Sequence, residues 1–464
     1  MCGINGIFNF NQKDLVSKTI VKKMSSLLGH RGPDDTSFYF NKNIGLGFNR
    51  LSIIDLNRGS QPVISQCGRY ILIFNGEIYN YQELKHGLIN KGITFHSNSD
   101  SEVLLNLIIT EKENFENKLN GMFAFAFFDK KLNKLLLVRD RFGKKPLFWI
   151  KTDLGIAFSS EIKSLLFLRK HNSPDYSSLS KFLTLGYCPE INTAFEDVNQ
   201  LIAGSGISFS KKVNPYIWWN NPSLKEQNKT NNLDYKTIIL NKFKKSVEHR
   251  LISDVPVGLF LSGGLDSTLI LSVIKELGIP KGFKTYTAKF RSMSYDESLQ
   301  ASYISDYYDV ENIQVEISPY DIPDIFEDVV YKSDNLIANP AIFANYILSK
   351  LASKDVKVAL NGGGGDELFF GYETYKADFI AEFFSYLPRP IIFLIRNSIK
   401  LLPTSHKKLN FKYKAQKFIE GVNLNRLKRH YSWRTILSEN EKDELFPKYL
   451  SNYDAYEDYE NAYN

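Results

Sequence analysis

Val257-Gly258-Leu259-Phe260-Leu261-Ser262-Gly263-Gly264-Leu265-Asp266-Ser267 reads as an apolar strand that runs into a glycine turn and then into a helix. The same alternation extends outward on both sides. Helical patterns over 234–250, 267–277, 296–308 and 341–353 interleave with β-type runs over 257–261, 284–290, 313–317 and 356–360. Strands that alternate with helices predict a parallel sheet, because each parallel return needs a crossover, and such sheets bind ligands beyond the carboxyl ends of their strands. Val358-Ala359-Leu360-Asn361-Gly362-Gly363-Gly364-Gly365-Asp366-Glu367-Leu368-Phe369-Phe370-Gly371-Tyr372 repeats the order of strand, glycine loop and helix start. An α/β domain is therefore expected over 233–464.

The first half of the chain has a different grammar. Short β-type runs at 44–48, 69–74, 122–128, 134–138 and 155–159 dominate it. Helical patterns at 81–90 and after Asp100 interrupt them; in the second, Val103, Leu104, Leu107 and Ile108 recur at helical spacing behind a Ser/Asp cap. Runs of strands with segregated helices predict a layered α+β domain over 1–200. The polar, irregular stretch 201–232, which holds Pro215 and Pro222, is expected to be a linker. The apolar stretch 390–402 is broken by Arg396 and Lys400, so an amphipathic helix is expected there and no membrane partner.

With 464 residues, 43% of them hydrophobic and 23% charged, the chain can bury a large core in two or three domains. The net charge of +7 comes without a long Lys/Arg block interleaved with aromatics, which argues for small anionic ligands and against nucleic acid. Cys2, Cys67 and Cys188 are too few and too scattered for a disulfide framework or a zinc site, which fits a reducing cytoplasm. The start lacks a basic leader followed by a long apolar run, so no secretory signal is expected.

Two features carry chemistry. A small second residue permits removal of Met1, which would leave Cys2 with a free α-amine. Such an amine titrates near ~7.7–8.0 and a thiol near ~8.5, so one can take the proton of the other around neutrality. Taken alone, a cysteine in second place is incidental, Asn75-Gly76 is a type I′ hairpin turn, and Arg50 or Asp100 is a surface charge or a helix cap. In the Ser262–Ser267 turn, backbone N–H groups at a helix N-terminus point at an anion, with the Ser262 and Ser267 hydroxyls as added donors and Asp266 able to hold Mg²⁺. The Gly-Lys-Ser/Thr ending of a Walker A loop is absent. Four consecutive glycines, Gly362 to Gly365, raise the entropy of the unfolded chain and pack nothing, so a purely structural account of them is poor.

Five blocks follow one another in the first half: Cys2-Gly-Ile-Asn-Gly-Ile-Phe, His30-Arg31-Gly32-Pro33-Asp34, Asn49-Arg50-Leu51-Ser52-Ile53-Ile54-Asp55, Phe74-Asn75-Gly76-Glu77-Ile78-Tyr79-Asn80 and Ser99-Asp100-Ser101-Glu102-Val103. With Arg139 to Leu147 and Phe158 to Lys163 they closely resemble the glutaminase domain of the glutamine-hydrolysing asparagine synthetases, which are N-terminal-nucleophile amidotransferases. The two glycine loops resemble the ATP pyrophosphatase motifs of the same family. The resemblance implies an N-terminal-nucleophile αββα sandwich followed by a doubly wound parallel-sheet domain. It also implies ATP and Mg²⁺ as cofactors, and an ammonia path between the domains. Asparagine biosynthesis from aspartate, glutamine and ATP is the expected reaction.

By that resemblance the Cys2 thiolate attacks the glutamine side-chain amide, while the Asn75 amide and the Gly76 N–H hold the oxyanion. Arg50 would take the substrate α-carboxylate, Glu77 and Asp100 its α-ammonium, and Leu51, Ser52, Ile53 and Ile54 would line the pocket. His30 and Arg31 receive a structural role. In the second half Leu261, Ser262, Gly263, Gly264, Asp266, Ser267, Ala288, Asn361 and Gly362 would contact ATP, with Asp266 and Asp366 on the metal. Gly363 stands at the acyl-adenylate site where the family usually carries an acidic residue, and no Lys-x-Asp-x-x-Ser-Met string precedes Asn464. The second domain is therefore expected to be incomplete at its C-terminus, and little asparagine is expected from the chain as it stands. Two other readings stay open: an amidotransferase for another carboxylate, such as a polysaccharide uronic acid, and a glutaminase-only remnant. A homodimer is compatible with the sequence, which shows no interface pattern.

Overall fold

The computed structural model describes residues 1–464 apart from 172, 190, 211, 222–233, 292–293, 405–409, 452, 458 and 460–464. The chain divides into one unit of Met1–Pro174 and Glu190–Val255, and another of Asp175–Pro189 and Pro256–Asn464. The strands of the first unit are β1 (Gly3–Asn9), β2 (Asp35–Asn41), β3 (Ile44–Arg50), β4 (Val63–Ile64), β5 (Tyr70–Ile78), β6 (Gly121–Asp129), β7 (Lys134–Arg139), β8 (Phe148–Lys151), β9 (Gly155–Ser159), β10 (Asn199–Gln200), β11 (Ser205–Phe209) and β12 (Val213–Ile217). They form two antiparallel sheets, ordered β10-β8-β9-β1-β3-β2 and β12-β11-β7-β6-β5-β4.

Ile4 and Phe8 of β1, Leu46 and Phe48 of β3, Ile71 and Ile73 of β5 and Ala124 and Ala126 of β6 share one core, so the two sheets face each other across it. The outer face of the first sheet is covered by the helix Lys18–Ser26 through Val21 and Met24. The outer face of the second is covered by the helices Tyr81–Ile89 and Asp100–Glu111, with Leu104, Leu107 and Ile108 against Leu72, Phe74 and Phe123. Cys2 thus opens a strand whose seven residues are all buried in the middle of its sheet.

The second unit holds the parallel sheet. Its strands β13 (Val257–Phe260), β14 (Lys284–Phe290), β15 (Asn312–Ile317) and β16 (Val358–Leu360) run in the order β15-β14-β13-β16. The connection reverses direction between β13 and β16, and it is beyond the carboxyl ends of two such neighbours that open α/β sheets bind ligands. Both glycine loops leave the sheet there. Farther on, helices including Glu373–Phe384, Arg389–Lys400 and Phe411–Gly421 pack around Ala381, Ile392 and Ile419. Among the described residues no helix is long and apolar enough to cross a membrane.

The unit borders differ from those expected. Part of the segment read as linker, 201–232, forms β11 and β12, because Ile207 and Phe209 alternate into the core and Pro215 falls on the edge strand, where no ladder N–H is missed. Residues 222–232 of that segment, and the expected border at 233, lie outside the described residues. The helix Tyr235–Arg250 belongs to the first unit: Val247 is buried, Ile252 beyond it packs into the second-sheet core, and the Asp254 N–H donates to the Ile53 carbonyl at 3.0 Å. Conversely, 175–189, expected in the first domain, joins the second unit through the helix Tyr176–Leu185. There Ile436 N–H donates to Thr184 and buried Lys442 to the Ser180 hydroxyl.

Candidate active sites

In the first unit, the segments before β2 and after β3 reach Cys2 at the start of β1. The Leu51 N–H donates to the Cys2 Sγ at 3.4 Å, and the Sγ lies 3.6 Å from the Leu51 carbonyl. Burial pushes the thiol up from its ordinary value, while the Leu51 N–H, the Met1 α-amine and Lys145 work against that rise; burial lowers the Met1 amine itself to about 5. Arg31 Nε holds the Cys2 carbonyl at 3.0 Å, and its Nη1 meets Glu161 at 2.9 Å. Glu161 also takes His30 and Lys163. Burial alone would raise its carboxyl, but His30, Arg31 and Lys163 hold it down to about 2. The blocks around His30 and Phe158 are thereby locked to the start of β1. Gly32 is required at this junction, since a Cβ would lie 2.2 Å from the Asn49 carbonyl carbon.

Asn75 and Gly76 sit inside β5, paired with Ala124 and Phe123 of β6, and do not form a hairpin turn. The Asn75 Nδ2 is buried and has no hydrogen-bond partner among the described residues. A Cβ on Gly76 would approach the Met122 carbonyl oxygen to 2.2 Å. Two residues on, the Ile78 N–H donates to Asp100 Oδ2 at 3.0 Å. Ser99, not Asp100, caps the helix Asp100–Glu111. Burial, with the Glu77 charge added, pushes the Asp100 carboxyl up to about 7 against the Ile78 N–H. Burial likewise raises Glu77, opposed by Lys145, the N-terminus and Arg250.

Arg50, at the end of β3, is buried and already engaged. Its Nη1 donates to the Leu56 carbonyl at 3.0 Å and its Nη2 to the Asp55 carbonyl at 2.7 Å, with the Ile54 carbonyl at 3.5 Å. The loop that carries Leu51, Ser52, Ile53 and Ile54 wraps around this guanidinium, and Asp34 takes the Ser52 N–H at 2.8 Å. A carboxylate bound by Arg50 would have to replace loop carbonyls. A cavity of about 760 Å³ opens beside this loop, lined by Ile54, Asp55, Tyr81, Lys85 and Asp254, without Cys2, Asn75 or Asp100 on its walls.

Reading by residue left two charges unassigned. Lys145 is 5% exposed, and Arg250 lies 4.5 Å over the Tyr79 ring. Lys145 stands in the block Arg139 to Leu147, behind Lys144 and at the head of the apolar run Pro146 to Ile150, a position that was available as a signal from sequence.

In the second unit, β13 delivers Leu261, whose N–H donates to Tyr286 O at 2.9 Å and whose carbonyl takes the Thr287 hydroxyl at 2.7 Å. Ala288 follows on β14. The Ser262 and Ser267 hydroxyls lie 3.2 Å apart, and Ser262 Oγ accepts the Gly264 N–H. Gly263 adopts φ +78°, and a Cβ there would lie 2.8 Å from Gln300 Cβ. The helix Leu265–Leu277 starts directly behind this turn with Asp266 in its first turn.

The second loop closes onto the first. A Cβ on Gly362 would lie 3.0 Å from Asp266 Cβ and the Ser267 nitrogen, and one on Gly365 would lie 2.5 Å from Asp266 Oδ2. Asn361 Oδ1 takes the Gly363 N–H at 2.9 Å and fills the space that a side chain on Gly363 would enter. Asp366 Oδ1 instead lies against Gly371. Among the described residues no group of three or more His, Cys, Asp or Glu side chains could hold a metal by itself. A carboxylate or two beside a phosphate cradle is the donor set that Mg²⁺ uses when phosphates supply the rest.

Each unit thus carries its own candidate site, one around Cys2 and one where the two glycine loops meet. Residues 1–219 match the glutamine amidotransferase domain family and residues 239–460 the asparagine synthase family. The chain belongs to the family of glutamine-hydrolysing asparagine synthetases, which are ATP-dependent carbon–nitrogen ligases. Asparagine synthetase (glutamine-hydrolysing) 1 of Bacillus subtilis is 34% identical over 417 residues, which cover 87% of this chain and 64% of the relative. A putative asparagine synthetase (glutamine-hydrolysing) 2 of Methanocaldococcus jannaschii is 31% identical over 84% of this chain and 79% of its own length. Asparagine synthetase (glutamine-hydrolysing) 3 of B. subtilis is 31% identical over 89% of this chain and 69% of its own. The chain thus spans less than two thirds of the first relative. Among solved structures, a glutamine phosphoribosylpyrophosphate amidotransferase from B. subtilis covers 70% of this chain at 14% identity and a TM-score of 0.37, too distant to add to these findings.

Proposed function

We propose that this chain hydrolyses glutamine at Cys2 in an N-terminal-nucleophile unit and delivers the ammonia to an acyl-adenylate formed with ATP in a pyrophosphatase-type unit, with aspartate as the first candidate acceptor. The observation that carries this reading is the unpartnered, buried Asn75 Nδ2 on β5, in the same unit as a Cys2 thiol held against Leu51. A buried donor without a partner is costly unless charge develops before it, as on the oxyanion of amide attack. The freed α-amine of Cys2 would take the thiol proton and return it to the departing ammonia. Glu77 and Asp100 would hold the α-ammonium of glutamine, and Arg50 its α-carboxylate after releasing loop carbonyls.

In the second unit, the Ser262 turn and the Asn361 loop would cradle the phosphates of ATP, with Leu261 and Ala288 near the adenosine. Asp266 and Asp366 would carry Mg²⁺, which when bound neutralises the leaving pyrophosphate. Gly363, with Asn361 in place of a side chain, supports a second reading in which another carboxylate, such as a uronic acid, is the acceptor. The test pairs Cys2→Ala with pyrophosphate release from ATP, ammonium and a panel of carboxylic acids. Loss of glutamate release with retained ammonium-driven turnover supports the two-site reading. Equal loss of both would assign Cys2 a structural role instead, and the panel selects the acceptor.

A further inference from the structure

The loop between β7 and β8 is built far more firmly than a connection needs to be. The Asp140 carboxylate accepts the N–H groups of Phe123, Phe142, Lys144 and Lys145, all between 3.0 and 3.1 Å. The Arg139 guanidinium donates to the carbonyls of Lys145 at 2.9 Å, Gly143 at 2.7 Å and Leu201 at 2.6 Å. Gly143 adopts φ +61°, and a Cβ there would lie 2.8 Å from Arg139 Cζ. This clamp fixes both backbone groups of Lys145 and buries its side chain.

The Asp140 carboxylate that takes the Lys145 N–H also takes that of Phe123, the β6 partner of Gly76, so Lys145 is tied to the strand beside β5, and the charges that act on its ammonium are those of Glu77, Arg31, Cys2 and Asp140. The Lys145 side chain is almost wholly out of water, a position that an apolar side chain of the same length would fill at lower cost. We infer that Lys145 is a positioning residue of the glutaminase site, whose buried positive charge favours the thiolate of Cys2 and the carboxylate of Glu77 before glutamine is attacked. The inference rests on the glutaminase reading and extends it to a residue outside the substrate contacts.

Its charge is available where the site would work. Burial lowers the Lys145 ammonium to about 8, with Glu77 and Cys2 raising it and Arg31 lowering it, so it is largely charged at neutral pH and loses its charge above. Cys2 is faced by that charge, by the Met1 α-amine and, with opposite sign, by Asp100.

The experiment measures the rate of Cys2 alkylation by iodoacetamide against pH in the full chain, beside thermal melting and glutamate release, for wild type, Lys145→Met and Lys145→Arg. Lys145→Met should raise the alkylation midpoint by about one pH unit, so that alkylation at pH 7 slows about tenfold, with Tm unchanged or higher. Lys145→Arg should restore the midpoint. An unmoved midpoint in folded Lys145→Met overturns the inference while leaving the glutaminase reading intact. A lower Tm with an unmoved midpoint assigns the residue to the structure and overturns it too. Should Lys145→Met not fold, Lys145→Gln provides the same comparison. Wild type without Cys2-dependent glutamate release removes the reading, and this inference with it.

Discussion

Replacing Asn75 with alanine separates catalysis from folding more cleanly than any other change in the first unit. The residue is 1% exposed in β5, and its Nδ2 meets no partner among the described residues. Deleting it removes a buried unsatisfied donor, a relief of about 1–3 kcal/mol, and leaves a small cavity whose penalty is of the same order. The two nearly offset, so stability should move by about 1 kcal/mol or less, or about 2–4 °C in Tm for a unit of this size. The oxyanion, in contrast, loses one of two aimed donors. Removing such a donor lowers kcat by about 10²–10³, or roughly 2.7–4 kcal/mol. Because the donor acts on charge that appears only in the transition state, KM for glutamine should change little. The assay is steady-state glutamate release, read with a melting curve on the same preparation. A folded Asn75→Ala with kcat within about fivefold of wild type, or with its loss confined to KM, would refute the assignment of the amide to the oxyanion.

Two further outcomes follow from the same geometry. Asp100 is held at about 7 by burial, so it is a carboxylate above that pH and neutral below it; KM for glutamine should therefore rise as pH falls through about 7, and a flat profile would remove Asp100 from the α-ammonium site. Gly365→Ala would place a Cβ 2.5 Å from Asp266 Oδ2 and force the carboxylate to move; calorimetry should show ATP with Mg²⁺ bound at least about tenfold more weakly, while glutamate release stays unchanged, and unaltered ATP affinity would separate Asp266 from the nucleotide.

Regular alternation was legible. The runs 155–159 and 284–290 are strands to the residue, and the helix after Asp100 runs to Glu111 with its expected buried face. What hid elements was glycine and asparagine inside fully paired strands. β1, Gly-Ile-Asn-Gly-Ile-Phe-Asn, shows no period of two because both faces are covered, and its Asn5 is satisfied from outside by donating to Val21 O at 3.1 Å and accepting the Ser25 hydroxyl at 2.8 Å. β5 was read as ending at Phe74 because Asn75-Gly76 resembles a turn. The ladder with β6 carries straight through it, since glycine is what lets the Met122 carbonyl come so close.

The site was legible in residue types and hidden in its electrostatics. Cys2, Arg50, Asn75, Glu77 and Asp100 could each be named from local motifs, because each motif records a short-range demand. No motif records that Arg50 faces three loop carbonyls, or that Glu77 and Asp100 are buried near each other with Lys145 as a counter-charge. The first depends on how the loop after β3 turns back on Arg50, the second on segments well separated in sequence and on how far each is removed from water. Burial acts in opposite senses on the two kinds of group, raising the carboxylates and lowering the ammonium, so it brings all three toward neutrality. Under the proposed glutaminase reading, an arriving α-ammonium would supply the positive charge that the carboxylates lack, and a site poised this way would favour a zwitterionic amino acid over a free amide.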